Sequence, residues 1–146
     1  MIIESPEFKN NEHIPAKYTC DGEDINPPLL FNDVSEEAQS LVLIFDDPDA
    51  PMDTWVHWTV WNIDSKTRKI AENSVPTGAV EGITDFGRIG WGGPCPPSGT
   101  HRYFFKLYAL DIKLDLSSKT RKHQIEEAMA GHIIKKAELI GLYSRN

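Results

Sequence analysis

The chain has 146 residues, 40% of them hydrophobic and 25% charged, and a net charge of −7. That profile describes one ordinary globular domain over residues 1–146, large enough to build a core without staples. The acidic balance excludes a general grip on nucleic acid, which needs a basic face, and the longest apolar run, Leu41 to Phe45, is far too short for a membrane-spanning helix.

Ile2 to Ser5 reads as a first strand. The Asn-, Asp-, Gly- and Pro-rich stretch over residues 10–30 reads as ordered loop with short strands at most. Ser40 to Asp46 is apolar on both faces and is expected to be a buried, central strand. Trp55 to Ile63 alternates, with Trp55, His57, Thr59 and Trp61 on one face and Val56, Trp58 and Val60 on the other. Neither face is polar, so both should be covered. Residues 64–90 read as mostly loop, with a strand near Ile70. His101 to Leu110 is a further strong strand whose His101, Tyr103, Phe105 and Leu107 share a face. Helical spacing appears only late, over Thr120 to Met129 and again over His132 to Glu138, with a break at Gly131 and a cap at Ser117 or Ser118. Leu139 to Tyr143 is either the helix end or a last strand. Together these elements predict a mainly β, antiparallel domain with one helical segment packed against it.

Two Pro/Gly-rich blocks carry the chemistry. One runs Asp46-Asp47-Pro48-Asp49-Ala50-Pro51 and closes on Trp55-Val56-His57-Trp58; the other runs from Gly92 to Tyr103 through Cys95, His101 and Arg102. Each feeds a histidine into an aromatic strand, the arrangement by which rigid loops build a small-ligand site. His13, His123 and His132 lack that setting and read as ordinary packed or surface residues. A buried imidazole needs partners at both nitrogens, and Asp47 or Asp49 is placed to supply one. Asp beside Pro also favours turns, which accounts for one or two of the three carboxylates. Most aromatics read as core; Trp55 and Tyr103, nearest the loops, are the exceptions. Backbone N–H groups in Gly92 to Ser98 can add anion donors, whereas Pro94, Pro96 and Pro97 only shape the loop.

Asp47-Pro48-Asp49-Ala50-Pro51 followed by Trp55-Val56-His57, and later Gly93-Pro94-Cys95-Pro96-Pro97 with Gly99-Thr100-His101-Arg102-Tyr103, resemble the two signature blocks of the phosphatidylethanolamine-binding proteins, which include the Raf kinase inhibitor proteins. Tyr18 to Leu29 and Glu126 to Tyr143 resemble the small prokaryotic branch, so the likeness covers almost the whole chain. It implies two antiparallel sheets packed in a sandwich-like manner with peripheral helix, and a small pocket for phosphate, sulfate or a phosphoryl headgroup. Carried over by position, Asp47, His57 and His101 are its polar residues, and Pro51, Trp55, Gly93, Pro94, Cys95, Pro96 and Tyr103 its walls. Cys95 within the proline loop and a short loop before His101 depart from the eukaryotic members. The lack of a eukaryotic-type C-terminal extension does so too, and counts against Raf-type inhibition or bilayer engagement.

The expected function is therefore non-catalytic binding of a small anion by protonatable histidines, with no metal or cofactor. Two other classes stay open: an inhibitor acting on a kinase or peptidase through protein contact, and a small hydrolase using Cys95 with a histidine. No signal peptide is visible, so a cytoplasmic location is expected. The resemblance brings Cys20 and Cys95 near the pocket rim, where a disulfide is geometrically possible, but reducing surroundings favour free thiols. A homodimer is the expected assembly.

Overall fold

The computed structural model describes residues 1–145. Among the described residues nine strands form two sheets, joined by one α-helix and a 3-10 turn at Ala16–Tyr18: β1 (Ile2–Glu4), β2 (Glu12–His13), β3 (Leu29–Asn32), β4 (Ser40–Asp47), β5 (Trp55–Asp64), β6 (Lys69–Ile70), β7 (Val80–Glu81), β8 (Thr100–Leu110), α1 (Lys122–Met129) and β9 (Ile133–Ser144). The small sheet runs β1-β3-β6 and the large one β2-β9-β8-β4-β5-β7. All pairings are antiparallel except β2 with β9.

β4 is buried at every position, and its alternation feeds two cores. Leu41, Leu43 and Phe45 point between the sheets, where they meet Leu29, Phe31, Trp58, Tyr103, Phe105 and Leu107. Val42 and Ile44 point the other way, against Trp61, Leu110, Leu114, Ile125 and Met129, the last two being the buried side of α1. Flanked by β5 and β8, β4 is the central strand its sequence predicts. Phe45 ends that first core beneath the site, stacked on Phe105 at 3.9 Å and on Trp91 at 4.7 Å between centroids. β8 keeps an unbroken alternation, burying His101, Tyr103, Phe105, Leu107 and Ala109.

Three expectations are corrected. The expected helix over His132 to Glu138 is strand from Ile133 on: after α1 the chain turns at Gly131 (φ 81°) and runs back along β8 in eleven paired positions. Ile133, Ala137 and Ile140 fit helical spacing only because Ala137 also belongs to the two-residue alternation Ala137, Leu139, Gly141, Tyr143 that faces the core; an open strand edge on β8 decides the matter. Secondly, neither Ser117 nor Ser118 caps α1. Ser117 Oγ accepts from the Lys119 amide, and the cap position is Arg121, whose N–H donates to Gln124 Oε1. Thirdly, β5 does not keep one alternation. Phe45 pairs with Trp58 but Asp46 pairs with Val56, so His57 is an extra residue opposite the Phe45–Asp46 step. That bulge turns His57 to the same side as Trp58, while Thr59 and Trp61 keep to the other.

Asp46, fully buried on the α1 side, accepts from Lys106 Nζ at 3.2 Å and Lys122 Nζ at 2.7 Å, so it ties the first turn of α1 to the sheet. Removing one partner of a buried ion pair is costly, but both lysines are partly exposed and can turn to water. Asp46→Ala should therefore cost about 2 kcal/mol of unfolding free energy, measured by urea denaturation; a loss within error of zero would mean that the lysines anchor nothing.

Candidate functional site

The two Pro/Gly-rich blocks meet at one end of the first core and enclose a cavity of about 310 Å³. Asp47, His57, His101 and Tyr103 supply its polar groups; Pro51, Trp55, Cys95 and Pro96 stand in its wall with Ala50, Phe86 and Pro97. Eight of the ten residues singled out in the sequence thus come together. Gly93 and Pro94 do not line the cavity but lie buried behind it.

His57 and Gly92 are bonded twice. The Gly92 amide donates to the His57 carbonyl at 2.9 Å, and His57 Nδ1 lies 2.7 Å from the Gly92 carbonyl. A carbonyl only accepts, so Nδ1 carries the proton. Phe45, Phe86 and Tyr103 crowd the ring at centroid distances of 5.6, 5.2 and 5.3 Å. Burial pushes the His57 imidazole below its ordinary 6.5, outweighing the upward pull of the Gly92 carbonyl and of Asp47 and Asp46. His57 is therefore neutral at pH 7, and its Nε2, with no partner among the described residues, is a bare acceptor.

His101 is held differently. Its Nδ1 lies 2.7 Å from Asp47 Oδ2, both groups buried. Asp47 Oδ1 meanwhile accepts from the Asp49 amide at 2.8 Å, closing the turn. Turn residue and orienting residue are the same carboxylate. Asp49 serves the neighbouring position: it takes Arg102 Nε at 3.0 Å and Nη2 at 2.9 Å, and the Arg102 amide at 2.9 Å. Those bonds hold its carboxyl near 2. Successive aspartates on the first block thus fasten successive residues at the start of β8. Tyr103 Oη is buried with no hydrogen-bond partner, and burial, then the Asp47 charge, holds its ionisation far above the usual range.

The proline loop is braced from outside. The Gly93 amide donates to Asp24 Oδ1 at 2.8 Å, and the Cys20 amide to the Pro94 carbonyl at 3.2 Å. A Cβ on Gly93 would strike the Asp24 carboxylate and the Tyr18 carbonyl. With Gly92 and Gly93 spent on protein and three prolines lacking N–H, the loop does not supply the row of anion donors expected of it; only Cys95 and Ser98 keep unassigned amides between residues 92 and 98.

Cys20 and Cys95 form a disulfide with Cα atoms 5.5 Å apart, and the described residues hold no free cysteine. This corrects the expectation of free thiols, which rested on an assumed compartment; the Cys20–Pro94 backbone bond brings the two segments within bridging distance. It also removes Cys95 as a nucleophile, because its sulfur is already bonded. Phe86 was missed in sequence because it sits in the long loop before Gly92. In the structure Gly87 (φ 77°) turns a tight hairpin closed by the Ile83–Ile89 bridge, and Asp85 pins it beside β5 through the Val56 amide and carbonyl.

A model of the phosphatidylethanolamine-binding protein family matches residues 4–144. A UPF0098 protein of Methanothermobacter thermautotrophicus is 49% identical over 150 residues, covering 99% of each chain. Another, from Chlamydia trachomatis, is 44% identical over 151 residues and covers all of both. Among solved structures, the chain superposes on the PEBP homologue CT736 of Chlamydia trachomatis with a TM-score of 0.96 at 44% identity, covering 99% of this chain and 97% of that one. Escherichia coli YbcL, described as a new member of the mammalian PEBP family, gives 0.93 at 32% identity with 99% and 98% covered.

Alkylation without reduction should label neither cysteine, and alkylation after reduction should label both, as read by mass spectrometry. Because the bridge closes 75 residues, Cys20→Ser should lower unfolding free energy by about 2–4 kcal/mol. Labelling of unreduced protein would contradict the bridge.

Proposed function

The chain belongs to the phosphatidylethanolamine-binding protein family, and on that footing we propose that it is a non-catalytic binding protein whose Asp47–His57–His101 pocket takes a small oxyanion or phosphoryl headgroup. One observation carries this reading. Two buried imidazoles each spend Nδ1 on a protein acceptor, Gly92 O and Asp47 Oδ2, and leave Nε2 without a protein partner at one cavity. Imidazoles oriented from behind in this way are presented for a ligand.

Asp47 would repel an anion if its charge stood alone. Bonded to His101 it fixes the ring, and it offsets the imidazolium charge when His101 is protonated and donates from Nε2. Tyr103 lines the same cavity, with its hydroxyl buried and unpartnered behind the ring face. Three or four such bonds at about 1.5–3 kcal/mol each, less several for association, give a dissociation constant from tens of micromolar to millimolar. Pro51, Trp55, Phe86 and Pro96 give the cavity a largely apolar wall, and its volume of about 310 Å³ leaves room beside the anionic group for a further part of the ligand.

Calorimetry with inorganic phosphate at pH 7 checks the roles. His57→Ala and His101→Ala should each weaken binding at least tenfold, about 1.4 kcal/mol. Asp47→Asn should weaken it as well, although it removes a negative charge from beside an anion. Tighter binding by the Asp47→Asn protein at every pH would show that Asp47 merely makes a turn.

A further inference from the structure

Resting on the oxyanion reading, we infer that the Cys20–Cys95 bridge is a thiol-exchange site that switches the pocket. A dithiol that opens it at Cys20 releases the cavity wall formed by Cys95, Pro96 and Pro97 and lowers the affinity for the anion. The hydrogen bonding of the proline loop carries this. Up to Pro94 the loop is held at each step: the Gly92 amide donates to the His57 carbonyl, the Gly93 amide to Asp24 Oδ1, and the Pro94 carbonyl accepts from Cys20. The chain is next held at Thr100, opposite Ser144 where β8 begins, and at Arg102, by Asp49.

Between these points, residues 95–99 form no hydrogen bond to the rest of the described chain. Pro96 and Pro97 have no N–H to give. The Cys95 amide sits close to the Tyr103 hydroxyl without closing a hydrogen bond, and Gly99 turns in a left-handed conformation (φ 67°). The disulfide is therefore the one bonded tie on this segment, and Cys95, Pro96 and Pro97 all line the cavity. Packing of the buried Pro96 survives the opening of the bridge, but Pro97, Ser98 and Gly99 are exposed and have nothing else to hold them.

Access sets the direction of attack. Cys20 is exposed, whereas Cys95 is half-buried in the cavity wall, so an incoming thiolate meets Cys20 Sγ first. The Sγ–Sγ bond breaks, and Cys95 leaves with the electron pair and takes up a proton. The second thiol of the reductant then attacks the mixed disulfide and frees Cys20. The dithiol ends as a disulfide, having given two electrons to the bridge, and its two protons rest on Cys20 and Cys95. The bonds at Gly92, Gly93 and Pro94 and the Asp47–His101 pair involve no sulfur, so the change stays local. A ligand must then re-order the wall, and fixing the backbone of even one residue costs about as much as a tenfold change in affinity.

Isothermal titration with inorganic phosphate at pH 7 on native protein, and on protein held in excess dithiothreitol, reads the switch. Reduction should weaken phosphate binding at least tenfold, with the tryptophan bands of near-ultraviolet circular dichroism kept and the affinity restored on reoxidation. Nitrogen-15 order parameters of the Cys95, Ser98 and Gly99 amides should fall from about 0.85 to below about 0.6. Cys20→Ser, altered outside the cavity lining, should bind as weakly as the reduced protein and ignore dithiothreitol. The reduced native protein and its order parameters decide the matter whether or not that variant folds. Binding by reduced protein within tenfold of native, or unchanged order parameters, overturns the switch and leaves the oxyanion reading standing. Loss of the tryptophan bands on reduction does the same, since the bridge would then hold the whole fold and not one wall. Failure of the native protein to take phosphate at about 20 mM, well above the expected millimolar ceiling, overturns the oxyanion reading and the switch with it.

Discussion

His57 and Gly92 bond each other twice, amide to carbonyl at 2.9 Å and imidazole to carbonyl at 2.7 Å. The first bond extends the sheet edge into the proline loop. The second makes His57 the side-chain strut of that loop and settles which nitrogen bears the proton. The pair fixes the proline loop against β5 at the residue whose imidazole lines the cavity. Further bonds lock it from behind, through Asp24 to Gly93, Cys20 to Pro94, and the disulfide. A loop fastened at so many points is preorganised, with little ordering left to lose in any association.

The central strand β4 ends in two adjacent aspartates with opposite tasks. Alternation sends Asp46 to the helix side, where two lysines neutralise it, and Asp47 to the pocket side, where it meets His101. A one-residue slip of β4 would exchange these environments and bury each carboxylate against the wrong partner. The register is held by β8, where pairing with β4 runs without a break, and by the apolar side chains filling both cores. Stability and site geometry therefore share one determinant, the two-sided burial of Leu41 to Phe45.

Much of this was legible in the residues. Ser40 to Asp46 is apolar on both faces and could only be a covered strand; His101, Tyr103 and Phe105 alternate without interruption, and so does the strand they form. The meeting of the two blocks was legible through their likeness to a known family. What escaped was set by partners far along the chain. The bulge that aims His57 arises from its pairing with Phe45 and Asp46, not from any residue in β5. The first half of β9 reads as helix because nothing local to Ile133–Glu138 announces the open edge of β8. The disulfide joins residues 75 apart, and Phe86 reaches the pocket from a hairpin whose turn signals are ordinary. The amides of Gly92 and Gly93 look like free anion donors until His57 and Asp24 are found to use them.

The protonation state of His57 in the free protein is the point on which the account turns, and nitrogen-15 NMR of its imidazole observes it without a ligand. At pH 7 the account predicts a neutral ring with the proton on Nδ1 and an unprotonated Nε2, and an Nε2 resonance that moves when inorganic phosphate is added. A proton on Nε2 in the free protein at that pH, whether as the other tautomer or as imidazolium, would contradict it.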